Sequence, residues 1–422
     1  MNIDLAYGRH GLRVDLPRNR TTVVAPNYIR GVPSPSDALL AAIRSPIDTK
    51  PLRQLALPGM NVAISVCDVT RAQPSRIMVE ALLSELSGIV SMANITVLIA
   101  TGTHRANTRA EQETMLGPEI LAAVEVVNHS ASDQSSLIDM GLIGNSVPVL
   151  LNRRWMDADL RITTGFVEPH FFAGFSGGPK MVAPGLAGLN TILTLHDSVR
   201  IGHPAATWGI THGNPVHDDV RAIAASTGVN FSVDVTLNSD QEITSVFAGE
   251  LFAEHRAACE YIKHQVMQAV DELYDVVVTS NSGYPLDQNL YQSVKGISAA
   301  ARVVKPGGVI VCATECSDGI PDHGNYANLL ASRDSPAELL EMIESSPHTV
   351  PDQWQVQIQA KILQRARVLV KADGLTDTQI MAAHFEPIRD VSEGISAGID
   401  QAGPTASVCV LPQGPQTIPY LR

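Results

Sequence analysis

The sequence predicts an α/β protein of two α/β domains with mostly parallel sheets and an active-site cleft between them. Three observations carry that expectation. Short β-branched apolar runs alternate with stretches of helical periodicity, the pattern of a parallel sheet whose crossovers are helices. The alternation restarts near Asp271-Glu272-Leu273-Tyr274. A chain of 422 residues is also too long for one ordinary core. The domains are accordingly set at residues 1–267 and 268–422.

In the first domain, residues 61–67 (Asn-Val-Ala-Ile-Ser-Val-Cys) form a continuous apolar run and are read as a buried strand. Pro74 then opens a helix, its fixed φ suiting a first turn, and Val79, Leu82, Leu83 and Leu86 continue the apolar stripe. Residues 95–100 are the next strand, and residues 125–128 and 160–164 are two more. In the second domain, residues 275–280, 308–313, 367–370 and 407–411 read as strands, and residues 289–304 and 356–366 as helices.

Hydrophobic content of 45% with 17% charged residues describes a well-packed enzyme, and a net charge of −13 argues against a nucleic-acid binder. The N-terminus lacks the basic start and apolar core of a signal peptide, and no apolar run is long enough to span a bilayer. A cytoplasmic location is expected, with no membrane and no nucleic acid among the partners. The cysteines Cys67, Cys259, Cys312, Cys316 and Cys409 are scattered and odd in number, unlike a disulfide framework. Cys312 and Cys316 have the spacing that opens a radical-cluster motif, but Gly319 stands where its third cysteine belongs. They are read as ordinary buried thiols.

Ligands of open α/β sheets sit beyond the carboxyl ends of the strands. Polar residues gather there. Asp68-Val69-Thr70-Arg71 follows one strand, Thr101-Gly102-Thr103-His104-Arg105 the next, and Gly165-Phe166-Val167-Glu168-Pro169-His170 another. The run from Glu168 to Lys180 adds a histidine, a glycine-rich turn at Gly177-Gly178 and a lysine, and His196 closes the apolar run from Leu189 to Leu195. Histidine serves as a metal ligand or proton shuttle, lysine as a nucleophile or phosphate contact, and glycines let backbone close on a ligand. A phosphate-binding P-loop is excluded: Pro179 replaces its second glycine and Met181 its hydroxyl residue. Arg71 suits a carboxylate, because a guanidinium matches two oxygens at once. Gln292 and Lys295 lie three apart and share one helix face, next to Tyr291. His203, His212 and His217 match no zinc spacing and are read as loop histidines.

Taken in order, these motifs resemble the lactate racemase family, whose members use a nickel-pincer nucleotide. The resemblance runs through Asp68–Arg71, Thr101–Arg105, the Glu168 to Lys180 run, His196 and the Gln292/Lys295 pair, and so covers essentially the whole chain. It implies an isomerase that interconverts D- and L-lactate, or a similar short 2-hydroxy acid, by proton-coupled hydride transfer through a 2-keto acid. The cofactor implied is pyridinium-3-thioamide-5-thiocarboxylic acid mononucleotide carrying nickel, supplied by separate maturation enzymes. Lys180 would tether it as a thioamide, and His196 would be the protein ligand to nickel. Soft sulfur donors and square-planar geometry suit Ni(II).

His104 and His170 would be the acid–base pair. Arg71, Gln292 and Lys295 would hold the substrate, with Tyr291 beside them. Asp68, Thr101, Gly102, Thr103, Ser176, Gly177 and Gly178 would help hold the nucleotide. The C2 hydrogen of a 2-hydroxy acid is barely acidic beside its carboxylate, and its removal as hydride avoids a dianion. Two mirror forms need a proton group on each side, a task for which histidine's pKa of about 6.5 is suited. The main alternative is the same chemistry on a larger acid such as malate, an aromatic hydroxy acid or an aldonate. A nucleotide-storage protein would need only Lys180 and His196, and a zinc hydrolase is disfavoured by the histidine spacing.

Overall fold

The computed structural model describes residues 1–321 and 324–422. The chain folds as two compact units. One comprises Tyr28–His196 with Ala205–Lys263, the other Met1–Asn27, Asp197–Pro204 and His264–Arg422. The division therefore does not follow a single cut after residue 267. Leu5, Tyr7, Val14 and Leu16 pack into the core of the second unit with Val276, Val278, Val309 and Val311. The strand Thr21–Val23 pairs with Val408–Leu411 at the edge of its sheet. Such pairing between chain ends is invisible to local pattern.

The first unit holds a six-stranded sheet in the order Ile243–Gly249, Phe231–Leu237, Leu160–Phe166, Val62–Cys67, Ile95–Ala100, Glu125–Asn128. All neighbours are parallel except the Phe231–Leu237/Ile243–Gly249 hairpin at one edge. Side chains alternate between faces as the pleat demands: Val62, Ile64 and Val66 enter one core, Ala63 the other. The strand order reverses between Val62–Cys67 and Leu160–Phe166, because the chain first builds outward through Ile95 and Glu125 and then returns to the other side. That switch point opens a crevice at the carboxyl ends of the two strands.

The second unit has its own six-stranded parallel sheet, ordered Glu386–Pro387, Arg367–Lys371, Val304–Ala313, Tyr274–Ser280, Val408–Leu411, Thr21–Val23. The helix Leu290–Ala300 is capped by Asn289, whose side chain accepts the Gln292 N–H. It ends before Val304, which is already strand. The expected helix start at Pro74 shifts by one residue: Pro74 is the N-cap and Ser75 the first helical residue. No helix among the described residues is long and apolar enough to cross a membrane.

Candidate active site

The reversal of strand order delivers Asp68 directly after Val62–Cys67. Its Oδ1 accepts the Thr70 N–H at 2.8 Å and the Thr70 hydroxyl at 2.5 Å, while Arg71 N–H closes the turn onto the Asp68 carbonyl at 3.1 Å. This tight turn leaves Arg71 exposed at its tip. The remaining oxygen, Oδ2, accepts from Nδ1 of His104 at 2.7 Å. Burial pushes the Asp68 carboxyl upward, but His104, Thr70 and Arg71 outweigh it and hold the group at about 2. An ionised carboxylate on Nδ1 fixes the proton there and makes Nε2 the basic nitrogen of His104. The sequence reading assigns Asp68 to the nucleotide; its carboxylate is engaged by His104 and Thr70.

His104 belongs to the loop after Ile95–Ala100. That loop is tied inward by Thr101, whose hydroxyl donates to the His129 carbonyl at 2.8 Å, and by the Gly102 N–H on the Gly185 carbonyl at 3.1 Å. Thr103 and His104 are exposed. Beside them lies a cavity of about 270 Å³ lined by Gly102, Thr103, His104, Ser130, Ser132 and Leu189, among others.

His170 sits in a two-residue strand, Pro169–His170, paired with Gly174–Phe175. Its Nδ1 accepts the Ala173 N–H at 3.2 Å and the Phe172 N–H at 3.5 Å, so the neutral ring carries its proton on Nε2. The Phe172 ring meets His170 edge-on at 4.5 Å and His196 edge-on at 5.3 Å between centroids, so one aromatic side chain links the two imidazoles. His196 caps the helix Leu189–Leu195 at its C-terminus. It is buried, and its Nδ1 donates to the Ile192 carbonyl at 2.7 Å. The other nitrogen, Nε2, is therefore the basic one, the arrangement a metal-ligating histidine needs.

Lys180 lies half-buried in a short 3-10 turn, Gly178–Met181. The loop before it is bonded within itself: Ser176 Oγ donates to the Phe166 carbonyl at 2.8 Å and accepts the Glu168 N–H at 2.9 Å. Gly177 and Gly178 both have positive φ. A Cβ on Gly177 would meet Asp234 Oδ2 at 2.8 Å, and one on Gly178 would meet the His255 ring at 2.5 Å.

Four residues escape a reading by motif: His217 and His255, Asp234 behind the loop, and its buried neighbour Glu254. His217 is not in a loop; it lies buried in the helix Pro215–Thr227, stacked on His255 at 5.9 Å. Asp234 and Glu254 are fully buried carboxylates on the strand Phe231–Leu237 and the helix Leu251–Val266. The period-2 alternation of Ser232, Asp234 and Thr236 is a sequence signal for Asp234 alone. Burial lowers His217 to about 3 and His255 to about 4, so both stay uncharged near Lys180. Burial raises Asp234 to about 7, and it raises Glu254 as well, helped by the neighbouring Asp234.

Folded Asp234 keeps a proton that the unfolded carboxyl releases near pH 4, so its stabilising share is full below that pH and is lost as pH rises through about 7. Asp234→Asn removes this titration. Wild type should therefore hold a larger advantage in Tm over Asp234→Asn at pH 5 than at pH 8, read by thermal unfolding; an unchanged difference contradicts it.

Gln292, Lys295 and Tyr291 lie half-buried on Leu290–Ala300 of the second unit. The Tyr291 hydroxyl accepts the Trp354 indole N–H at 3.1 Å. Cys312 and Cys316 are both buried, and burial raises both thiols, Cys316 to about 11.

Residues 7–209 match the model of the lactate racemase N-terminal domain and residues 270–418 that of the lactate racemase C-terminal domain. The chain belongs to the lactate racemase family. It is 35% identical to a lactate racemase of Thermoanaerobacterium thermosaccharolyticum, over 99% of each chain. It is 34% identical to a lactate racemase of Lactiplantibacillus plantarum, over 95% of this chain and 98% of that one. The structure of the lactate racemase apoprotein from T. thermosaccharolyticum superposes with a TM-score of 0.94 at 33% identity, covering all of both chains. A Thermotoga maritima protein, 18% identical with a TM-score of 0.67 over 94% of this chain and 100% of that one, shares the fold. Membership in the lactate racemase family makes this chain an isomerase.

Proposed function

We propose that this chain racemises lactate, using a nickel-pincer nucleotide tethered to Lys180. The observation that supports the chemistry most is the Asp68–His104 pair at the switch point, a carboxylate-backed imidazole whose basic nitrogen is Nε2. Lactate itself is carried over from the names of the two relatives.

The residues present suit such a cofactor. Among the described residues no three His, Cys, Asp or Glu side chains form a metal cage. A group that brings its own sulfur and carbon donors asks for one protein ligand, and buried His196, with Nδ1 committed to the Ile192 carbonyl, is built for that role. Lys180, in a turn reached through two glycines, would supply the covalent link. When bound, the group supplies a hydride acceptor beside the substrate.

The chain's own residues do the rest. Arg71 takes the substrate carboxylate, and Gln292, Lys295 and Tyr291 are the candidates for its other oxygens. His104, its Nδ1 proton held by Asp68, takes the hydroxyl proton at Nε2, and the buried carboxylate stabilises the imidazolium that forms. A keto acid turned to present its other face is reprotonated at oxygen by His170. A proton placed on Nδ1 of His170 would displace the Ala173 and Phe172 N–H groups from that atom. Thr101, Gly102, Thr103, Ser176, Gly177 and Gly178 would help hold the nucleotide.

Asp68→Asn keeps the Thr70 turn but withdraws the charge behind His104. It should lower kcat on the order of 10–100-fold with little change in lactate KM. A full kcat in steady-state assays would remove Asp68 from the mechanism. The function itself is tested by chiral chromatography of matured enzyme on D-lactate and on L-lactate, beside malate, mandelate and gluconate. Equal D/L mixtures from both lactate enantiomers are expected. Turnover of a larger acid alone would reassign the substrate.

A further inference from the structure

The loop that carries Lys180 is gripped from beneath by side chains that the family motifs do not include. Its 3-10 turn begins at Gly178, and Gly177 at the N-cap offers no side chain to accept the first backbone donors. The acceptor comes from elsewhere in the fold: Oδ2 of Asp234, on the strand Phe231–Leu237, accepts the Gly178 N–H at 2.7 Å. One residue before the glycine pair, His255 on the helix Leu251–Val266 donates from Nε2 to the Ser176 carbonyl at 2.8 Å.

The fit is close on every side. Gly165 lies opposite Asp234 in the sheet, and a Cβ there would meet Asp234 Oδ1 at 2.6 Å. Gly177 and Gly178 are barred from side chains by Asp234 and His255 in the same way. Asp234 and His255 are themselves buried and held by rigid elements, and a chain of hydroxyls continues below them. Thr163 donates to Ser232 at 2.9 Å, and Ser232 donates to Glu254 at 2.6 Å. Two buried carboxylates are costly to a core, and a turn that needed only local closure could be capped by its own residues. Lys180 follows the gripped glycine by two residues, and its charge is among those felt by His255.

We infer that Asp234 and His255 are positioning residues that clamp the Ser176–Gly178 backbone and thereby fix where Lys180 presents its amine for cofactor attachment. This rests on Lys180 being the tether, so the test has two arms that fail separately. The first arm uses the protein without cofactor and measures amide hydrogen exchange. The Gly178 amide should be strongly protected in wild type. Asp234→Ala should speed its exchange by about tenfold or more, and Asp234→Asn, which keeps an acceptor, should restore protection.

The second arm matures each variant beside its maturation enzymes and reads the fraction of Lys180 carrying an adduct by intact mass, well below each variant's Tm. Asp234→Ala and His255→Ala should load a severalfold smaller fraction than wild type and Asp234→Asn. A freely exchanging Gly178 amide in wild type overturns the clamp even where the alanine variants do not fold. Wild-type loading and exchange in folded alanine variants also overturn it. Absence of any Lys180 adduct in active wild type overturns the tether reading instead, and leaves the exchange arm to judge the clamp.

Discussion

His104→Ala is expected to abolish racemisation from both lactate enantiomers, with kcat lower by about 10²–10⁴-fold. Both directions fail together because a racemase uses each proton group once per turnover, and an enzyme lacking one of them stalls whichever enantiomer it starts from. The His104 side chain is 42% exposed and its removal opens no core cavity, so the fall in Tm should be limited to what buried Asp68 loses with its partner. The Lys180 adduct and nickel content should persist. Asp68 is the residue that feels the change, losing the hydrogen bond that contributes most to holding its carboxyl down. His170→Ala should match the loss of activity but with some cost in stability, since His170 packs against both Phe171 and Phe172. Chiral chromatography, with thermal unfolding and elemental analysis on the same samples, separates these outcomes. Wild-type turnover in either variant would sink the acid–base assignment.

Lys180→Arg should abolish activity by a different route. Arginine keeps the positive charge and much of the length, yet a guanidinium cannot form the thioamide link. Matured Lys180→Arg should therefore have the mass of the bare chain, no retained nickel and no racemase activity, while folding as wild type does. The half-buried position of Lys180 in a short turn makes that fold a fair expectation. A variant that still binds nickel and racemises lactate would show that covalent attachment is dispensable.

The strands that carry the candidate site are legible in the sequence because their apolar runs are unambiguous. Asp68, Arg71, His104 and His170 all come just beyond such runs, and parallel pairing brings those ends to one edge of the sheet. What stayed hidden is non-local. Nothing near Asp68 announces that its partner is His104, a contact that arises only when Val62–Cys67 and Ile95–Ala100 pair in register. Asp234 and Glu254 read as ordinary polar residues, and only tertiary packing makes them buried. His217 lies after Asn214-Pro215, where loop chemistry dominates the local pattern. The structure uses that Asn–Pro pair as an N-cap and first turn, and the helix that follows buries His217. Sequence position groups the segment Met1–Asn27 with the first unit, but its strand Thr21–Val23 pairs with residues near the other end of the chain.

Lactate chemistry in this chain is proposed to depend on a cofactor covalently held by Lys180. The most direct measurement is peptide mapping by mass spectrometry of protein purified after co-expression with the maturation enzymes, with racemase activity and nickel measured on the same sample. A mass increment is expected on the peptide containing Lys180, with nickel in proportion to that increment and activity that scales with both. Fully active protein whose Lys180 is unmodified would contradict it.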